Sequence, residues 1–138
     1  MKSKICTDVQ QSKKLLELGL SADTADMFYF SIGLMPPIKI NVGKIQENVV
    51  ESKRCWAVPC WSLSTLLELM PKLYEEEDNP DDDGCQPNLC KGWDNDKWHI
   101  VYRSSIYITQ WHDNPLDAAF EMVCWLLEQG LIKKEEQL

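Results

Sequence analysis

The last quarter of the chain constrains its architecture more than any other part. Residues 111–130 hold a helix with both ends marked. Asn114 can cap it, Pro115 suits the first helical position, and Gly130 suits the left-handed residue past the end. Between them Leu116, Ala119, Phe120, Val123 and Leu127 form one stripe, which Met122, Trp125 and Leu126 widen. A helix this broadly apolar needs cover on more than one side, from a sheet and from a second helix or a partner.

The rest of the sequence offers that cover. A surface helix is expected over residues 8–18, capped by Thr7 or Asp8 with Gln10 or Gln11 three positions on, and closed by Gly19. Met27-Phe28-Tyr29-Phe30-Ser31-Ile32 is aromatic and rich in strand formers, and Ile38-Lys39-Ile40-Asn41-Val42 alternates, so two strands are expected there. Trp56-Ala57-Val58 reads as a short extended piece. Leu63, Leu66, Leu67 and Met70 share one helical face, and Pro71 ends that helix. Residues 97–111 alternate with Trp98, Ile100 and Tyr102 on one side. They read as a hairpin that turns at Ser104-Ser105 and returns through Ile106 and Ile108. The expected order is α-β-β-α-β-β-α, an α+β two-layer domain over residues 1–138, with an acidic irregular loop at about 72–92.

Charge narrows the function classes. The net charge is −8, and Glu75, Glu76, Glu77, Asp78, Asp81, Asp82 and Asp83 contribute −7 with no base among them. The remainder is near neutral, so neither a basic nucleic-acid footprint nor a cationic membrane-binding patch is expected. No run of about 18 apolar residues is present, and residues 1–8 lack the apolar core of a secretory signal. A cytoplasmic setting with reduced cysteines follows as the expectation.

Three stretches together resemble a known group. They are Gln11-Ser12-Lys13-Lys14-Leu15-Leu16-Glu17-Leu18-Gly19-Leu20 with Thr24-Ala25-Asp26-Met27, then residues 59–71, then residues 114–127. The likeness is to small uncharacterised proteins of gut bacteria, often associated with prophages and other mobile elements. It implies a mobile-element or accessory context and brings no catalytic residues.

The candidate sites are few. Cys55 and Cys60, with Cys85 and Cys90, form two pairs that could supply four thiolates to a tetrahedral zinc, although their spacing is wider than that of common knuckles. The alternative is that they are packed or incidental thiols. Asn79-Pro80-Asp81-Asp82-Asp83-Gly84 partly matches a calcium loop, but Cys90 stands where the bidentate Glu belongs, so a solvated acidic loop is the simpler reading. No Gly-rich phosphate loop is present, and no Cys stands at a helix start where its thiol would be activated. No catalytic residue and no cofactor is assigned. Of Trp93, Trp98, Trp111 and Trp125, the last three are expected to seal the hairpin against the final helix, leaving Trp93 beside Asp94 and Asp96 as the exposed aromatic. The expected function is a non-enzymatic protein-interaction or accessory module whose Asp81, Asp82, Asp83 and Trp93 meet a basic protein partner. The alternatives are an acidic inhibitor or immunity-like protein and a zinc-stapled module. The apolar last helix could also serve a homodimer, which the sequence does not require.

Overall fold

Asp8 sets the start of the first helix, α1 (Val9–Glu17). Its Oδ1 accepts the Gln11 N–H at 2.8 Å and Gln11 Oε1 accepts the Asp8 N–H at 3.0 Å, a reciprocal cap that satisfies two otherwise orphaned donors. Gly19, at φ 99°, ends the helix in the left-handed region. The computed structural model describes residues 4–32, 39–43, 55–73, 86–102 and 107–132.

The first sheet contains β1 (Met27–Ile32), β2 (Lys39–Val42) and β3 (Cys55–Cys60), ordered β2-β1-β3 with both pairs antiparallel. The aromatic strand β1 is central, as its composition favours. The short piece expected around Trp56 is thus a full six-residue strand, adding one element to the expected order. Just before β1, Asp26 ties this sheet to the next helix, α2 (Leu63–Leu69). Its Oδ1 accepts the Ser62 N–H at 2.9 Å and its Oδ2 accepts the Ser62 hydroxyl at 2.5 Å, while Ser62 Oγ caps α2. Met70 leaves helical geometry directly before Pro71, whose ring disfavours a helical residue ahead of it.

The second sheet pairs β4 (Pro87–Lys91) with β5 (Trp98–Tyr102) in antiparallel register. Two expectations are corrected here. The stretch at 72–92 is not irregular throughout, because its last residues form β4. The full ladder of β5 runs to β4, not to the segment that follows it. That later segment makes only isolated bridges, Val101 to Ile108 and Trp98 to His112. Between the two bridges the returning chain advances one residue more than β5 does, so it carries a bulge. Buried Thr109 occupies the bulge, and its Oγ1 accepts the Ile100 N–H at 2.8 Å that a regular ladder would have paired with a carbonyl. Ser104-Ser105, expected as the turn, lies outside the described residues.

The final helix, α3 (Pro115–Glu128), follows the expected signals closely. Asn114 Oδ1 accepts the Asp117 N–H at 2.8 Å. At the other end Gly130 has φ 72°, its N–H donates to Leu127 O and the Leu131 N–H to Leu126 O, a closure that satisfies the last carbonyls. Leu116, Ala118, Ala119, Met122, Val123, Leu126 and Leu127 are buried. The cover comes from within the chain: β5 through Ile100 and Tyr102, and α2 through Leu66. The breadth of the apolar stripe therefore gives no argument for a dimer. The α+β class is as expected, with helices and two antiparallel sheets around one main core.

Two buried-edge carboxylates hold the fold across sequence. Burial alone would push Asp26 upward, but its hydrogen bonds from Ser62 outweigh that and hold it below the usual carboxylate range. Asp117 behaves alike: burial opposes ionisation, and bonds from Lys4, Gln11 and Asn114 favour it more strongly. A carboxylate depressed in the folded state stabilises fully above its unfolded pKa of about 3.9, and loses that contribution as pH falls through the folded value. Asp26→Asn is expected to be less stable than the parent at neutral pH, with the gap closing below pH about 4, as measured by urea unfolding across pH.

Candidate interaction surface

The tip of the second sheet is built by Gly92 and Asn95. The Gly92 N–H donates to Lys97 O at 2.8 Å and closes the hairpin, while Asn95 Oδ1 accepts the Lys97 N–H at 3.2 Å. A Cβ at Gly92 would collide with the Asn95 side-chain amide as it is placed here, so a larger residue would displace the amide that accepts from Lys97. Trp93 takes no part in that scaffold and is fully exposed. Asp94 and Asp96 flank the tip and are also exposed.

The same end of the sheet carries a second indole. Trp98 and His112 exchange backbone hydrogen bonds of 2.7 and 2.8 Å, which places Trp111 and Asp113 beside the hairpin end. Trp111 stacks on His99 with ring centroids 4.0 Å apart and planes 7° from parallel, yet stays 44% exposed. Ile108, bridged to Val101 on the same outer face, is 50% exposed. Of six exposed large apolar residues among those described, Trp93, Ile108 and Trp111 share this sheet and its tip, whereas Ile5, Val42 and Leu131 are dispersed. Ile108 and Trp111 escape sequence reading because the bulge decides which residues of the returning segment face out.

Behind this face, Glu121 of α3 holds the bulged segment in place. Its carboxylate accepts the Tyr107 hydroxyl at 3.3 Å, the Gln110 N–H at 3.1 Å, and faces His112 Nε2 at 2.9 Å. Tyr107 also stacks on Trp125, centroids 4.4 Å apart. Burial, followed by the charge of Glu121, pushes the Tyr107 phenol upward, so it remains a donor. The aromatics thus divide. Trp98 and Trp125 pack against the core as expected, Trp93 is exposed as expected, and Trp111 is not sealed inside. The Trp98 Nε1–H is buried with no acceptor among the described residues.

Of the four cysteines considered for zinc, the three that are described do not converge. Cys55 and Cys60 are the two ends of β3, about 17 Å apart at 3.3–3.4 Å per residue, too far for one ion held by bonds of about 2.3 Å. Cys60 is buried with Cys6, Met27 and Tyr29 against the first sheet, whereas Cys90 lies on β4 of the second. Cys85 lies outside the described residues, as do Asp81, Asp82 and Asp83. Among the described residues no group of three or more His, Cys, Asp or Glu side chains is placed to hold a metal.

The thiols are placed for packing. Burial, and then the hydrogen bond with Cys6, drives Cys60 upward, and burial pushes Cys124 up to about 12. Cys90 stands opposite His99 across the strands, but its Sγ contacts Asn88 O at 3.8 Å and the His99 ring stacks on Trp111. The cleft between α2 and β4 is lined, among the described residues, by Leu67, Met70, Lys72, Gln86, Pro87 and Leu89, which offer no carboxylate, thiol or imidazole. Among the described residues, no helix is long and apolar enough to cross a membrane.

No protein family, no curated protein and no solved structure matches this chain.

Two outcomes are expected. Glu121→Ala should lower stability by about 1–3 kcal/mol, through the acceptors removed from Tyr107 and Gln110, and speed exchange of the Gln110 amide. In native protein, a thiol reagent followed by peptide mapping should label Cys90 ahead of Cys6, Cys60 and Cys124.

Proposed function

We propose that this chain is a non-enzymatic protein-interaction module that binds a partner through the aromatic end of its second sheet. The observation that carries the reading is Trp93. A large apolar side chain stands fully exposed on a turn whose shape is set by Gly92 and Asn95 and does not use the indole. Trp is costly to expose and is enriched where binding energy concentrates. Trp111 stands at the same end of the sheet, and Ile108 lies on its outer face toward the other end of β5. The scaffold beneath is packed and hydrogen-bonded: β5 lies on α3, and Glu121 holds the bulged segment. This is how binding loops are usually presented, on a framework that does not move with them.

Several features support this reading over a catalytic one. Of the described thiols, Cys6 and Cys60 are buried and Cys90 and Cys124 are half-buried, and His112 faces Glu121. The mobile-element setting is a proposal that rests on the sequence resemblance alone.

The test separates binding from folding. Trp93→Ala should change unfolding free energy by no more than about 0.5 kcal/mol, because the side chain touches no core. Trp93→Ala and Trp111→Ala should each reduce retention of any protein captured specifically by the parent chain. A captured protein retained equally by both variants would overturn the assignment of this surface.

A further inference from the structure

We propose that the surface described above accepts a cationic polypeptide segment, with an Arg or Lys side chain lying on the Trp93 indole and against the carboxylates of Asp94, Asp96 and Asp113. This rests on the reading of that surface as a protein-binding site and names the chemistry of its partner.

The surface selects for charge as well as for apolar area. Asp94 and Asp96 share the turn with Trp93, and Asp113 stands next to His112, which is bridged to Trp98 at the same end. Among the described residues, none of the three carboxylates forms an ion pair or accepts a side-chain hydrogen bond. Two cations share this end, Lys91 and Lys97. Lys91 is engaged, its Nζ 5.7 Å from the centre of the Trp98 ring, so the sheet already holds one ammonium over an indole. Lys97 alone leaves the carboxylates in excess.

The alternatives fit less well. A purely apolar partner would bury Asp94 and Asp96 without compensation, which is expensive. A phosphate-bearing partner, whether nucleic acid or anionic lipid, would meet like charge. A guanidinium serves both features at once, since its plane stacks on an indole while its fork engages a carboxylate. Arg is therefore favoured over Lys.

The test uses the full chain and synthetic peptides of one length. Their variable position carries Arg, Lys, citrulline as an uncharged analogue of Arg, or Glu. Binding is read from the Trp93 indole N–H resonance and by calorimetry at low and high salt. The Arg peptide should bind most tightly, the Lys peptide next, and the citrulline and Glu peptides at least about tenfold more weakly. Replacing Asp94, Asp96 and Asp113 together by Asn should weaken Arg-peptide binding by about tenfold at both salt concentrations. Equal binding of Arg and citrulline peptides, or no binding by the Arg peptide, would overturn the cation assignment. If the equal binding disappears in Trp93→Ala, the surface stands and only its charge selectivity fails. If Trp93→Ala leaves Arg-peptide binding unchanged, both readings fail.

Discussion

The burial of α3 is the constraint from which the rest of the structure follows. Its fourteen residues present seven fully buried side chains, so α2 and β5 must both lie against it. The helix also organises polar contacts at its margin. Near its start Asp117 gathers Lys4 and Gln11, which fastens the N-terminal segment and α1 to the second half of the chain. One turn further on, Glu121 gathers Tyr107, Gln110 and His112. An apolar stripe thus supplies the cohesion, and two carboxylates beside it determine which loops sit where. That division is physically reasonable: burial is strong but non-directional, whereas hydrogen bonds are weak in net energy and specific in geometry.

Trp61 performs the corresponding role between the two sheets. It follows β3, is wholly buried in the main core, and its indole N–H donates to Thr24 Oγ1 at 2.9 Å. Its backbone N–H and C=O both pair with Thr7. A buried indole needs such an acceptor, because an unpaired N–H in an apolar interior costs free energy. The six tryptophans of this chain are therefore not equivalent. Trp61 is a core residue with every polar atom paired, Trp98 and Trp125 are packed, and Trp93 is fully exposed with no partner among the described residues.

Legibility in the sequence tracks how local the determining physics is. The ends of α1 and α3 were readable because caps act within a few residues of the backbone they satisfy, as with Asp8 and Gln11 or Asn114 and Gly130. The faces of β5 were readable from alternation alone. The partner of β5 was not, since alternation defines a face and says nothing about which edge is filled. Pro87-Asn88-Leu89-Cys90-Lys91 has few strand formers, and its pairing is imposed by tertiary context. The bulge at Thr109 is similarly nonlocal, and with it the exposure of Trp111. Trp93 was legible because Gly92, Asp94 and Asn95 announce a turn in which a large apolar residue has nowhere to go.

The two sources of negative charge in this chain should act differently on a cationic partner. The run between Glu75 and Asp83 carries most of the net charge and precedes β4 directly in sequence. Charge of that kind acts through the field it creates, within a screening length of about 8 Å at physiological salt, and it raises encounter rates more than residence time. Asp94, Asp96 and Asp113 are exposed at the same end of the sheet as Trp93 and Trp111, and a partner seated on that end would desolvate them together with the indoles. Their contribution depends on geometry and appears mainly in the dissociation rate, where most affinity differences among related complexes reside. Salt added to such a complex should slow association through the first set and leave a residual, less salt-sensitive affinity held by Trp93 and its flanking carboxylates. A partner that relied on the acidic run alone would instead lose nearly all its affinity with its encounter rate.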